Sequence, residues 1–192
     1  MIKLLGTVLI LLATSALPAA ATGWALERDV ETPSYAVIEP ASTNLNIDSL
    51  VLSCEQGPQR RGLQLRLYLS GTGPLAARSG ASLKDDPTVD LAIDKRSHAA
   101  QLLFADDFVV VADAADGSLP LLSDTLVDAL QAGRRMELRV PLARAAHGQT
   151  STFTSMAVVD LQAGPGGAAI AELRRCTRGA DPRFAERVGY TR

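Results

Sequence analysis

The sequence predicts a mainly β fold, an antiparallel β-sandwich or open barrel with two short helices. The main observation is the stretch Ser49–Leu69, where two apolar runs flank a short turn of Gly, Pro and Arg. In its second run every other residue from 63 to 69 is leucine, and such a period of two is typical of a strand with one buried face. Further alternating runs follow at short intervals, and the helical segments are too few and too late for a repeated βαβ series.

The first predicted strand after the amino-terminal region is Tyr35–Ile38, bounded by prolines. Trp24, the only tryptophan, precedes it and is interpreted as a plug over one end of the core, with ligand stacking as the alternative. After the hairpin, Ser70–Pro87 carries the Gly, Pro and Asp residues of a turn-rich connection. Alternation resumes over Val89–Ile93, which predicts another strand, and Lys95–His98 is predicted as a polar bend.

A second hairpin is predicted from the apolar runs Ala99–Phe104 and Phe108–Ala112. Asp106 and Asp107 lie between them, and aspartate is a common turn residue because its side chain bonds nearby backbone amides. A loop over Asp113–Gly117 is predicted to follow this hairpin.

The clearest helix is predicted over Ser123–Gly133. Its first residue can accept a hydrogen bond from a free amide of the first turn, and its closing glycine is placed to end the helix in a left-handed turn. An alternating strand begins at Met136, a further strand is predicted over Ser151–Leu161, and a second helix over Ala168–Cys176.

The first 21 residues have the layout of a secretory signal peptide. Lys3 precedes an apolar centre at Leu4–Ala13, and small residues indicate a cleavage site near Ala21. The alternative is an uncleaved anchor over Leu4–Ala21, which polar residues and a proline interrupt. We therefore expect an exported, periplasmic protein with no membrane span after cleavage.

Cleavage leaves a length that fits a single domain, which we place over residues 22–176. The segment 177–192 mixes charges with Gly and Pro and has no strong periodicity, so it is predicted to be a flexible tail.

Cys54 and Cys176, the only cysteines, are predicted to form a disulfide that fixes the carboxyl-terminal helix to the β core. In an exported chain, two cysteines most simply pair with each other. Two buried thiols or one reactive cysteine are the alternatives, but the sequence has no Cys-x-x-Cys and no histidine near either cysteine.

The chain carries a formal net charge of −2, which gives no reason to expect nucleic acid or an anionic membrane surface as partner. Two of the three pairs of adjacent arginines stand out, Arg60–Arg61 at the hairpin tip and Arg134–Arg135 after the first helix. The third, Arg174–Arg175, lies near the carboxyl end of the second predicted helix, where positive charge is favourable. The first two pairs could form a basic contact patch, and solvated turns are the alternative. No sequence feature sets the oligomeric state.

Aspartates recur in the predicted turns and are candidates for a cation site or for a hydrolytic pair of carboxylates. The run Asp113–Gly117 lacks the alternating oxygen ligands of a calcium loop, so capping of backbone amides is the favoured interpretation. The residues concerned are Asp85, Asp86, Asp90, Asp94, Asp106, Asp107, Asp113 and Asp116.

No catalytic residue, metal or cofactor is predicted. His98 and His147, the only histidines, fall in predicted loops and are interpreted as solvent-exposed rather than as zinc ligands. The chain has no Gly-x-Ser-x-Gly motif, and Gly164–Gly167 lacks the lysine of a phosphate loop. That glycine-rich run is therefore interpreted as a linker that starts a helix.

Three elements of the second half carry a resemblance: the helix Leu126–Gly133 with its following strand, the strand around Phe153, and the alanine-rich helix ending in Cys176. This pattern resembles small exported proteins of Gram-negative bacteria, of the invasion-associated locus B type and the type VI secretion accessory type. The resemblance implies a periplasmic β-rich domain with a disulfide, and it brings no catalytic residues.

We accordingly expect a non-enzymatic binding or accessory module of the cell envelope, with an envelope protein as its partner. The alternative is a hydrolase of envelope glycan or peptide that uses the clustered aspartates. A divalent-cation binder is a third hypothesis.

Overall fold

The computed structural model describes residues 23–71, 73–75, 81–82, 87–105, 107–146 and 149–178. The predicted signal peptide and residues 179–192 of the predicted tail lie outside these ranges. So do His147 and three of the candidate aspartates, Asp85, Asp86 and Asp106.

The described residues form thirteen strands and three helices. In chain order they are β1 (Ala25–Leu26), β2 (Tyr35–Ile38), β3 (Ser42–Thr43), β4 (Ile47–Gln56), β5 (Arg61–Leu69), β6 (Ala81–Ser82), β7 (Thr88–Ile93), β8 (Arg96–Phe104), β9 (Phe108–Ala112), β10 (Ala114–Asp116), β11 (Leu119–Leu121), α1 (Asp124–Ala132), β12 (Arg135–Ala146), β13 (Gln149–Asp160), α2 (Gly166–Leu173) and α3 (Arg175–Arg178).

The strands confirm the predicted mainly β class, and its form is the open barrel. Eleven strands make one antiparallel half-barrel sheet, while β10 and β11 form a separate hairpin. Along the main path of the sheet the order is β1-β2-β4-β5-β9-β8-β7-β12-β13-β3, and β6 pairs with β12 beside that path.

A short segment near the amino terminus reaches both ends of this sheet. Strand β2 pairs with β4, and only three residues later β3 pairs with β13, the last strand in sequence. The backbone N–H of Ala41 donates to the carbonyl of Val158 at 2.8 Å. Within residues 35–43, β3 forms the edge at one end of the sheet, and β2 lies next to the edge strand β1 at the other end. Both edge strands are only two residues long, a device that limits edge-to-edge association.

The core lies on the concave face of the sheet and is closed by α1 and α2. The alternating leucines of β5 face inward as predicted: Leu63, Leu65 and Leu67 are buried. The apolar faces of both helices belong to the same core cluster. Trp24 is also fully buried in this cluster, which agrees with its interpretation as a plug.

Two predicted irregular segments are instead paired strands. The prediction of a polar bend at Lys95–His98 is wrong, because the turn is Asp94–Lys95 and β8 already begins at Arg96. Asp94 makes this tight turn with a φ of 52°, a conformation that Asp tolerates better than most residues. The prediction of a loop at Asp113–Gly117 is likewise wrong, because this segment contains β10 and the turn into β11.

Helix ends also differ from the predictions. Gly133 ends α1 with extended backbone, φ −70° and ψ 161°, rather than in a left-handed turn. Glycine is needed there for space, since a Cβ would lie 2.5 Å from Cγ2 of Ile93. The second helix ends at Leu173, and Cys176 lies in the separate short helix α3.

The predicted disulfide is present between Cys54 of β4 and Cys176 of α3, with a Cα–Cα distance of 6.4 Å. The two residues are 122 positions apart in sequence. The bond fixes the carboxyl-terminal helical segment beside the β4–β5 hairpin, where α3 also contacts β5.

Candidate functional site

The tip of the β4–β5 hairpin holds two arginines in a defined position. The backbone N–H of Gly57 donates to the carbonyl of Arg60 at 2.8 Å, which closes the turn. The carboxylate of Asp116 accepts from the N–H groups of Gln59 and Arg60 at 2.9 and 3.0 Å. The β10–β11 hairpin therefore clamps the tip and fixes where Arg60 and Arg61 leave it.

Asp116 approaches this turn so closely that position 57 must be glycine, since a Cβ there would lie 2.1 Å from its Oδ2. The hydrogen bond from Gln59, followed by that from Arg60, lowers the pKa of Asp116 below its ordinary value of 3.8. The carboxylate is therefore charged near neutral pH and acts as a structural clamp.

A second set of cations comes from the carboxyl-terminal helices. Arg174 follows α2, and Thr177 and Arg178 end α3. The disulfide at Cys176 lies between these residues and fixes them beside the hairpin tip. The Thr177 hydroxyl donates to the carbonyl of Arg174 at 2.9 Å, which ties the two helices together.

The two sets line one cleft with a volume of about 300 Å³, here named the arginine cleft. Its floor is formed by the apolar residues Leu63, Leu122 and Val127, each of which is no more than 3% exposed. The polar and backbone lining residues are Arg60, Arg61, Gly62, Asp124, Arg174, Thr177 and Arg178.

The four arginines differ in how firmly they are held. Arg174 donates to Asp128 at 2.5 Å and to Gln131 at 2.9 Å, so α1 fixes its guanidinium. Arg61 donates through Nε to Gln56 at 2.8 Å. Within the described residues Arg60 and Arg178 make no ion pair, and both are exposed. The cleft thus contains two held guanidiniums and two that are available to a ligand.

The amino-terminal end of α1 adds to the positive potential of the arginine cleft. Ser123 caps the helix by accepting from the N–H of Leu126 at 3.2 Å, and Asp124 and Val127 of the first turn line the cleft. This end of a helix carries the positive half of its dipole. Among the described residues, Asp124 is the one acidic side chain that lines the cleft, against four arginines. The arrangement favours an anionic group.

The structure separates the two arginine pairs that the sequence brought to attention. Arg134 and Arg135 lie beyond the carboxyl-terminal end of α1, and Arg134 lines a different cavity with Lys95 and Arg96. Arg60 and Arg61 are joined instead by Arg174 and Arg178, which the sequence reading did not connect with them. The predicted disulfide could have indicated this convergence. Cys54 pairs with Leu63 in the hairpin, so a bond from Cys54 to Cys176 places the residues around 176 beside that hairpin.

Three of the described aspartates, Asp94, Asp113 and Asp116, bind backbone amides, as the sequence predicted, whereas Asp90 lies in β7 and bonds side chains. Asp94 accepts from the N–H groups of Arg134 and Arg135, both at 3.1 Å, and Asp113 accepts from the N–H of Ser123 at 2.6 Å. Asp90 bonds the Ser97 hydroxyl. Within the described residues no group of three or more His, Cys, Asp or Glu side chains could hold a metal ion.

His98 differs from its prediction as an exposed loop residue. It lies in β8 paired with Leu91, it is half-buried, and its Nε2 is shielded from solvent without a hydrogen-bond partner. Strand pairing uses backbone groups, so a polar run such as Arg96–His98 can continue a strand despite its composition.

Gly164–Gly167 forms the connection into α2, as interpreted from the sequence. Gly164 has a φ of 59° and Gly166 a φ of 40°, values that favour glycine. Gly23 lies against this run, where a Cβ would be 1.7 Å from the carbonyl oxygen of Ala163. These glycines permit two close backbone crossings.

None of the helices in the described part of the chain is long and apolar enough to cross a membrane. No protein-family model, curated protein or solved structure matches the chain.

Proposed function

We propose that this chain is an exported periplasmic protein that acts by binding, as a non-catalytic accessory module of the cell envelope whose contact site is the arginine cleft. The observation that carries the proposal is the convergence of Arg60, Arg61, Arg174 and Arg178 from distant parts of the sequence. Arginine is well suited to such a site because its planar guanidinium binds carboxylate and phosphate groups through paired hydrogen bonds.

Export is supported by the disulfide together with the signal-like first 21 residues. Disulfides persist in oxidising compartments such as the bacterial periplasm and are rare in the cytosol. A binding role is supported by the engagement of Asp94, Asp113 and Asp116 with backbone amides, which removes these carboxylates from general acid–base chemistry.

Fractionation and mass spectrometry test the export part. We expect the native protein in the periplasmic fraction, with an amino terminus near residue 22 and a mass that rises by two thiol hydrogens on reduction. A cytosolic protein that keeps residues 1–21 and has two free thiols would contradict this part of the proposal.

Affinity capture from envelope extract tests the binding part. We expect a partner that the purified protein retains and that the double variant Arg60→Glu/Arg178→Glu loses. The matched control is Arg96→Glu/Arg134→Glu, which makes the same change of charge at the other end of α1. No capture above background, or turnover of envelope glycan or peptide by the protein, would count against a binding module.

A further inference from the structure

The arginine cleft is too small and too one-sided for an extended polyanion. Its volume of about 300 Å³ lies at the lower end of the range for ligand pockets. Nucleic acids and anionic membranes need a broad basic face that contacts many charges. Here carboxylates border the cleft: Asp124 lines it, Asp128 holds Arg174, and Asp116 clamps the hairpin tip. The cleft therefore suits one or two anionic groups.

The lining residues favour a ligand that is more than a simple anion. Leu63, Leu122 and Val127 of the floor are each no more than 3% exposed, so they offer little apolar surface to a ligand. Asp124 can accept a hydrogen bond from a donor on the ligand, while it repels an ion without one. A ligand that carries both carboxylates and N–H donors suits the arginines and Asp124 together. An acidic polypeptide segment has this chemistry.

The arginines of the cleft combine one guanidinium that is held in place with two that are exposed, and this combination suits a flexible ligand. Arg174 is only 19% exposed and is held by two acceptors on α1, so it presents a fixed guanidinium. Arg60 and Arg178 are exposed and come from different elements, one from the hairpin and one from α3. Each can bind a carboxylate through charge-assisted hydrogen bonds.

Resting on the proposed function, we infer that the arginine cleft receives an acidic segment of a partner polypeptide, rich in glutamate or aspartate. Charge complementarity carries this inference: four guanidiniums and a helix amino terminus face the segment, with one carboxylate among them.

Fluorescence anisotropy with defined peptides tests the inference on the oxidised, full-length protein. The probe is a labelled peptide of Glu-Leu-Ser repeats, its neutral counterpart has Gln-Leu-Ser repeats, and inorganic phosphate serves as the free oxyanion. We expect the glutamate peptide to bind at least about tenfold more tightly than the glutamine peptide. Phosphate at the same concentration should not displace it.

The variants locate the site. Arg60→Glu/Arg178→Glu should weaken peptide binding by about a hundredfold, since it removes two charge-assisted contacts and adds repulsion. Arg60→Gln/Arg178→Gln gives a smaller loss and serves as a second variant if the charge reversal unfolds the protein. Arg96→Glu/Arg134→Glu should change binding by less than about threefold. Circular dichroism and thermal melting confirm that each variant is folded.

Three results would overturn the inference. They are equal losses in both glutamate variants, displacement of the peptide by phosphate alone, and absence of binding to the glutamate peptide. If envelope capture survives in Arg60→Glu/Arg178→Glu, the arginine cleft is not the contact site although the protein remains a binding module. If wild-type protein captures nothing, the proposed function itself fails.

Discussion

The two ends of helix α1 carry similar numbers of cations and use them differently. At the carboxyl-terminal end, Lys95, Arg96 and Arg134 border a cavity of about 480 Å³. Asp94 lies among them and bonds the backbone of Arg134 and Arg135. At the amino-terminal end, four arginines share the arginine cleft with a single carboxylate from Asp124.

The helix dipole explains one of these clusters and not the other. Cations beside the carboxyl-terminal end of a helix are stabilised by its unpaired carbonyl groups, so Arg134 and its neighbours need no ligand. Arg174 gains the same benefit from the end of α2, which it caps. Arg60 and Arg61 face the positive end of α1, where the dipole disfavours them. Cations that the helix dipole disfavours are candidates for binding an external anion.

The largest difference between the two ends should follow from loss of the disulfide. We expect Cys54→Ser/Cys176→Ser to lower the free energy of unfolding by about 4 kcal/mol, because the bond closes a long loop. Hydrogen exchange should rise in α3 and at the tip of the β4–β5 hairpin, while the Asp94–Lys95 turn stays protected. Denaturant unfolding gives the energy, and a uniform rise in exchange would mean that the bond does not act locally on the cleft.

The next effect concerns the cap of α1. Ser123→Ala removes the side chain that accepts from the N–H of Leu126, and we expect a loss of about 1 kcal/mol. The hydroxyl also donates to Asp113, so Ser123→Thr is the matched control that keeps both bonds. Chemical denaturation measures the change. If Ser123→Ala lowered the free energy of unfolding no more than Ser123→Thr does, the cap would contribute nothing to stability.

A smaller effect depends on pH and acts on the hairpin tip. Hydrogen bonds from the N–H groups of Gln59 and Arg60 depress the pKa of Asp116 in the folded protein. A depressed pKa contributes stability above the unfolded value of about 3.9, and this stability is lost as the pH falls through the folded pKa. Thermal melts below pH 4 should therefore fall less steeply in Asp116→Asn than in wild type. If the melting temperatures of the two proteins fell in parallel with pH, Asp116 would not contribute to the pH dependence of stability.

The smallest effect has opposite signs at the two ends of α1. Arg60→Gln should raise the free energy of unfolding by about 0.3 kcal/mol, because it relieves repulsion at the positive end of the helix. Arg134→Gln should lower it by a similar amount at the negative end. Melting curves at low salt measure both changes, and high salt should erase them. The same sign at both ends would contradict the electrostatic comparison.

Much of the fold was accessible from the sequence because backbone pairing follows apolar alternation. The leucines of β5, the alternation in β7 and the cap at Ser123 each report a local rule, and each is confirmed. The β8 start was missed because Arg96 and Ser97 are polar, and polarity says little about pairing at the exposed end of a sheet.

The candidate site was less accessible because it is built from distant segments. Arg60 and Arg61 form an adjacent pair in a predicted turn, whereas Arg174, which neighbours Arg175 in a predicted helix, and Arg178 are linked to them only by the folded structure. The paired arginines at 134 and 135 drew equal attention and lie elsewhere. Adjacent charges are visible in a sequence, but convergent charges require the register and the disulfide.

The segment that reaches both ends of the sheet also bears on how the chain attains its structure. Thr43 pairs with Ala157, so β3, one of the first strands in sequence, cannot pair until β13, the last strand, is in place. Contacts between such distant residues slow folding, since a large loop must close before they form. For a chain exported as proposed, that delay keeps the polypeptide unfolded while it is threaded through a membrane and releases it to fold on the far side.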